Sequence, residues 1–312
     1  MQSSDISSHR EIIGFIPLKR NVVFSKGEIQ KLDTFDEAKL YMHENSNADG
    51  YYYPPVVARY ELKSPTYEKP DFAAGPLPRS KRPAHLFKLP ASHQIVLDFP
   101  YSVEPRNNEC MFLVQFLAFI YGTRAHITEW WIDGRVPQKT SNDYILDEME
   151  LPYLTDMAFS TWSECKTPEQ QLHLTNLLYM HNRVFSYEWD WEQFTVAYMV
   201  FDGCYRYLQR YTDFKGVPEH ASRLKLVLEE IRIPLEEDRI KKFVKLRNDL
   251  FHETLWESKQ PGISASHDAF MASRQMKKIC TRILLFILGY RGEYLAKPWW
   301  FAGSSCVLRR PE

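Results

Sequence analysis

The chain has 312 residues, 44% hydrophobic and 25% charged, enough for one large or two medium folded domains. A formal net charge of -1 excludes a global field that draws in polyanions, so any nucleic-acid contact must come from a local basic patch, such as one assembled by pairing subunits. Five cysteines (Cys110, Cys165, Cys204, Cys280, Cys306) show no paired spacing, which argues against a disulfide scaffold or zinc ribbon and suggests a reducing compartment.

The opening MQSSDISSHREIIG lacks the apolar run of a secretory signal. EIIGFIPL, NVVFS and VVARYEL are predicted strands separated by polar or Pro/Gly turns, and PLPRSKRPAH is a locally basic loop. HQIVLDF is a further strand. CMFLVQFLAFIYG is apolar throughout and reads equally as a buried helix or a strand pair, because it has no distinguishing period. ITEWWIDGRVP predicts a short strand and Asp-Gly turn, and TSNDYILDEMELPY an irregular acidic connection. Neither MFLVQFLAFIYG nor ICTRILLFILGY is long and continuous enough to span a bilayer, so the expected location is cytoplasmic, with no membrane partner.

From about Thr167 the pattern turns helical. TPEQQLHLTNLLYMHNRVF begins with Thr-Pro, and DWEQFTVAYMVFDGCYRYLQRY carries aromatic residues every three or four positions. PEHASRLKLVLEEI sets Leu224, Val227 or Leu228, and Ile231 on one side. LEEDRIKKFVKLRNDLFHETLWE has acids in its first turn, as the helix dipole favours. HDAFMASRQMKKICTRILLFILGY is the last long helix. Short connections favour antiparallel neighbours in a bundle. The expected class is α+β: a mixed α/β regulatory or recognition region over 1–170, then an all-helical domain over 171–312, with the boundary near 165–180.

The segment KLRNDLFHE, Lys245 to Glu253, raises the main functional question. At about 100° per residue, with Arg247 at zero, Ile240, Phe251, Val244 and Phe243 fall at about 20°, 40°, 60° and 320°. This places Arg247 in the middle of the apolar stripe. Asn248 and His252 fall at about 100° and 140°, with Lys241 and Lys245 on the same flank. A guanidinium there needs partners or an escape to a rim. Its fork of donors suits phosphate, a histidine exchanges protons near neutral pH, and Asn248 can hold a phosphate oxygen or orient the ring. Arg247 and His252 diverge by about 140° on an ideal helix, so a composite site formed by two copies about a symmetry axis is expected.

Arginine, a polar residue, three further residues and histidine on a helix resemble the signature of the HEPN superfamily. The resemblance covers roughly residues 180–295, and it makes 171–312 an expected HEPN-like helical domain. The mixed N-terminal region loosely resembles that of ApeA-type antiphage proteins. HEPN domains are helical bundles, and many are metal-independent endoribonucleases whose paired subunits line a shared cleft. They recur in toxin–antitoxin, antiphage and CRISPR systems. The resemblance implies RNA as substrate, a homodimer formed through the helical domain, and control by the N-terminal region or by a separate inhibitory or sensing protein.

For RNA cleavage, His252 would transfer protons as base or acid, Arg247 would stabilise the phosphate, and Asn248 would position the phosphate or imidazole. Lys241 and Lys245 are candidate substrate contacts. The competing reading is a non-catalytic module for dimerisation or protein or nucleotide binding. In that reading His252 packs the helix end and Arg247 pairs with a buried acid. Arg79 and His85 share the broad spacing but sit in a Pro-rich loop. Tyr198, Phe201, Tyr205 and Tyr207 are expected to be core or interface residues, and Trp130, Trp131, Trp299 and Trp300 to pack. No H-E-x-x-H, cysteine–histidine cluster, G-x-G-x-x-G, Walker-type loop or G-x-S-x-G occurs, so neither metal nor cofactor is expected.

Overall fold

A computed structural model describes residues 7–52, 91–101, 108–127, 135–138, 142–262, 266–297 and 306–311. VVARYEL, PLPRSKRPAH, most of ITEWWIDGRVP, and Trp130, Trp131, Trp299 and Trp300 lie outside the described residues.

The N-terminal half is mixed. Strands β1 (Ser7–Ile13), β2 (Val22–Phe24) and β3 (Gly27–Lys31) precede helix α1 (Phe35–Glu44) and a short β4 (Tyr51–Tyr52). Then come β5 (His93–Tyr101), α2 (Glu109–Tyr121), β6 (His126–Ile127), β7 (Val136–Pro137) and β8 (Tyr144–Leu146). Five strands form an antiparallel sheet in the order β2-β3-β5-β1-β6, with Ile29 opposite Ile95 and Arg10 opposite Ile95 on its other side. Ile12, Val22, Ile29, Ile95 and Leu97 are buried in the core.

The apolar run read as helix or strand pair is α2. Every residue from Cys110 to Tyr121 is buried, which explains why it carries no amphipathic period. Its ends are set locally. Asn108 accepts from the Met111 amide at 2.8 Å, and Gly122 closes the helix in the left-handed conformation at φ 61°. α2 packs against β6 and against helices α3 (Leu151–Ser163) and α4 (Pro168–Val184). The stretch expected to be an irregular connection instead contains β8 and the first turn of α3, started by Pro152.

The C-terminal half is a helical bundle: α4, α5 (Asp190–Tyr211), α6 (His220–Glu230), α7 (Glu237–Asn248) and α8 (His267–Ile287). α5 packs most extensively on α8 and then on α4, while α6 lies against α7. Thr167 and Ser266 cap α4 and α8 by accepting amides of Gln170 and Ala269. Tyr198, Phe201, Tyr205 and Tyr207 are buried, as their spacing on α5 predicts, and so are Leu224, Val227, Leu228 and Ile231 around α6. Strand β9 (Cys306–Leu308) pairs in parallel with β8, bringing the end of the bundle back to the N-terminal half. One apolar cluster runs from Ile12 to Leu308 through both halves. Among the described residues no helix is long and apolar enough to cross a membrane.

Candidate functional site

α7 starts with Glu237 and Asp238 in its first turn and buries Ile240, Phe243 and Leu246, with Val244 and Leu250 partly buried against the same core. Leu246 and Leu250 move the centre of the buried stripe away from Arg247. Arg247 therefore lies half-buried at the stripe's edge, not in its middle, and Phe251, expected within the stripe, is 46% exposed. The guanidinium lies 5.0 Å above the centre of the Phe251 ring.

The helix also does not continue as an α-helix to Trp256. At Asp249 it widens into a single π turn ending at Glu253, and the Asp249 carbonyl accepts the amides of Thr254 and, at 3.0 Å, Leu255. A π turn sets residue i beside i+5 and is enriched at functional sites. Thr254 then takes the left-handed conformation at φ 58°, followed by Glu257 at 52° and Ser258 at 60°. Three such residues, one of them β-branched, concentrate strain just after the π turn. Tertiary contacts hold it. Trp256 is buried 5.4 Å from the Phe194 ring, and Glu257 accepts from the Ser266 amide and hydroxyl and from Lys242.

The π turn overturns the expected divergence of Arg247 and His252. Arg247 Nη1 donates to His252 Nε2 at 2.9 Å and to Asn248 Oδ1 at 3.0 Å within one chain. The geometric reason for invoking a second subunit therefore does not hold. A guanidinium only donates, so Nε2 carries a lone pair and the ring is neutral with its proton on Nδ1. Arg247 Nε is buried without a hydrogen bond, and among the described residues none engages Nη2. Of the fork, Nη2 thus remains for an incoming anion, while Nε is out of its reach.

Residues from two other helices join this cluster. Tyr198, Asp202 and Arg206 recur at four-residue spacing along α5, and His220 and Arg223 begin α6. Asp202 Oδ1 lies 3.7 Å from both His220 Nδ1 and Arg223 Nη1, and Tyr198 Oη is 3.4 Å from His220 Nδ1. Burial pushes the Asp202 carboxyl up, against the pull of His220, Arg223, Arg247 and Arg206. Burial pushes His220 down. Asp202 opposes this, while Arg247, Arg223 and His252 reinforce it. The charges on α7 are thus felt on α5 and α6, forming one field of two imidazoles, several guanidinium groups and one carboxylate. Such a set can hold a phosphodiester and move protons on and off it.

Lys241 and Lys245 are not drawn into this cluster. Both are exposed and paired within their own helix, Lys241 with Glu237 at 3.1 Å and Lys245 with Asp249 at 3.4 Å. Among the described residues no group of three or more His, Cys, Asp or Glu side chains is arranged to hold a metal ion. Sequence reasoning missed Asp202, His220 and Arg223. The signal for Asp202 is its four-residue spacing from Tyr198 and Arg206, which the aromatic core positions of α5 mask.

No family model, curated protein or solved structure matches this chain.

Proposed function

We propose that the end of α7 is the cleavage site of a metal-independent endoribonuclease of the HEPN type, with RNA as its substrate. The supporting observation is the single guanidinium nitrogen of Arg247 that bridges Asn248 and His252 beside His220 and Asp202. An entering phosphate takes over donors of Arg247 and frees the Nε2 lone pair of His252. That nitrogen accepts the 2′-hydroxyl proton as the 2′-oxygen bonds to phosphorus. The bond from phosphorus to the 5′-oxygen breaks, water protonates the leaving oxygen, and the His252 imidazolium gives the 2′-hydroxyl proton back to solvent. Arg247 and Arg223 hold the non-bridging oxygens, and Asn248 keeps Arg247 in place. The products are a 2′,3′-cyclic phosphate and a 5′-hydroxyl. DNA lacks the attacking group and is not cut.

Two copies pairing across the exposed surface around Phe251 would set two such clusters along one strand. An activity of this kind fits a cytoplasmic toxin or antiphage effector, held in check through its N-terminal region or by an inhibitory or sensing protein.

A second reading, a non-catalytic dimerisation or binding module, draws on the same Arg247–His252 hydrogen bond, taken as a static lock on the helix end. Incubating purified protein with labelled mixed RNA in EDTA, beside His252→Ala and Arg247→Ala, separates the two. The enzyme reading expects EDTA-resistant cleavage lost in both variants, with cyclic phosphate ends. The module reading expects none in any of them while assembly stays intact.

A further inference from the structure

A second polar cavity, of about 530 Å³, opens between the N-terminal half and α8, away from the π turn. That volume is in the range of small-molecule sites. Four cations line it, Arg135, Arg274, Lys277 and Lys278, and the first three each rest on an aromatic ring. Arg135 lies 3.8 Å above the Tyr51 ring centre, Arg274 4.3 Å above Phe270, and Lys277 Nζ 4.6 Å above Phe185. Arg135 spends further donors on the Ser186 and Tyr187 carbonyls. Among the described residues none of these three has a carboxylate within ion-pair distance. Asp143, also on the wall, pairs with Arg282 at 3.3 Å and Lys278 at 4.0 Å and accepts from Tyr294 at 2.6 Å. Glu188 and Asp190 also border the cavity, where chain polarity favours acids ahead of and within the first turn of α5.

We propose that this cavity binds a phosphorylated small molecule of nucleotide size, its phosphate held by Arg274, Lys277 and Arg135. Guanidinium forks and an ammonium converge there with no carboxylate in ion-pair contact among the described residues, with Asp190 acting on Arg274 and Asp143 on Lys277 from the same wall, and they match a group that carries close to two negative charges at neutral pH. The space exceeds what a bare phosphate fills. On its wall the Asn142 amide nitrogen donates to the Phe119 and Ile120 carbonyls and the Tyr144 hydroxyl and that of Gln193 to the Tyr187 carbonyl, which leaves their amide oxygens as acceptors for a sugar or base. Because Tyr51 and Arg135 come from the β4–β7 ribbon and the other two cations from α8, the ligand ties the N-terminal half to the bundle. Binding here is independent of RNA cleavage at α7.

The Lys277 ammonium supports this reading. Burial, then the charges of Arg274 and Lys278, lower it to about 8, with Asp143 the opposing acid and His181 facing it from α4. A bound phosphate returns the proton, so affinity falls as pH rises above about 8, and binding near that pH takes up protons.

Calorimetry and thermal melting of the full chain with AMP, ADP and inorganic phosphate test the proposal, beside Lys277→Gln and Arg274→Gln; Arg274 is exposed and Lys277 partly exposed. The expected result is saturable binding of ADP or AMP, tighter than inorganic phosphate, weakened by at least about tenfold in each variant. Proton uptake should appear as a dependence of the heat on buffer ionisation near pH 8. Absence of saturable binding by all three probes, equal affinity for phosphate and ADP, or binding unchanged in both variants would overturn it.

Discussion

Nη1 of Arg247 lies 2.9 Å from Nε2 of His252, five residues along the chain and across one π turn. The donor is fixed as the guanidinium, so the contact requires a neutral imidazole protonated on Nδ1. Nitrogen NMR on ring-labelled protein should find that tautomer at pH 7.5 in the wild type. In Arg247→Ala the Nε2–H form should become populated, since nothing then selects against it. The same tautomer mixture in both proteins would show that the hydrogen bond does not form in solution.

Replacing Arg247 with lysine keeps the charge but removes the fork that reaches Asn248 and His252 together. We expect Arg247→Lys to lower RNA cleavage by at least about tenfold and Arg247→Ala by about a hundredfold or more. Circular dichroism and melting should be close to wild type, because the side chain sits at the edge of the buried stripe. Full activity in the lysine variant would mean that charge alone suffices.

The position of that stripe is itself testable. Phe243 is fully buried and Phe251 is 46% exposed, although both were expected within the apolar face. Phe243→Ala should cost about 3–5 kcal/mol in urea denaturation and Phe251→Ala well under half of that. Equal costs would restore Arg247 to the centre of the stripe.

His220 senses Asp202 at 3.7 Å, and the carboxylate is the one neighbour that favours its charged form. In Asp202→Asn the opposing carboxylate is gone, and burial and the positive charges of Arg247 and Arg223 all act to lower it. NMR titration should therefore place the His220 midpoint below that of the wild type. An unchanged or raised midpoint would show that the two side chains are not in contact.

Two buried histidines away from the site make the fold less stable in acid. Burial lowers His93 to about 4 and His181 to about 3, while unfolded histidine takes up a proton near 6.5. Their contribution to stability is complete above pH 6.5 and is lost as the pH falls from there through 4 to 3. The slope is at most about 1.4 kcal/mol per pH unit for each ring. Urea midpoints measured from pH 7 to pH 4 should fall, and His181→Gln should show a shallower fall whatever its stability at pH 7. Parallel curves would remove His181 from this account.

Much of this arrangement was legible in the sequence, and the parts that were not have identifiable physical causes. The helices from α4 to α8 follow from caps and a 3.6-residue period, with Thr167 and Ser266 marking two of the starts. α2 was ambiguous because a helix buried on all sides has no polar face to reveal its period, although Asn108 and Gly122 at its ends carry the signal. β3 and α1 went unread, and α3 was hidden in an apparently irregular acidic stretch. At the site, Arg247, Asn248 and His252 were found by spacing, but their contact was not. The change from i→i+4 to i→i+5 bonding is sustained by the docking of Trp256 and Glu257, which no helical wheel contains. Asp202 and His220 meet through the packing of α5 and α6, a relation that linear spacing does not encode.

Single-turnover cleavage of one short RNA by the wild type and by His252→Ala, with a 2′-O-methyl copy of the same strand as control, tests the central claim most directly. The account expects the wild type to cut the RNA in EDTA, leaving a 2′,3′-cyclic phosphate, and to leave the methylated strand intact. Folded His252→Ala should be slower by about a hundredfold or more. Wild-type protein that leaves the RNA whole, or a histidine variant that cuts it at the wild-type rate, would contradict it.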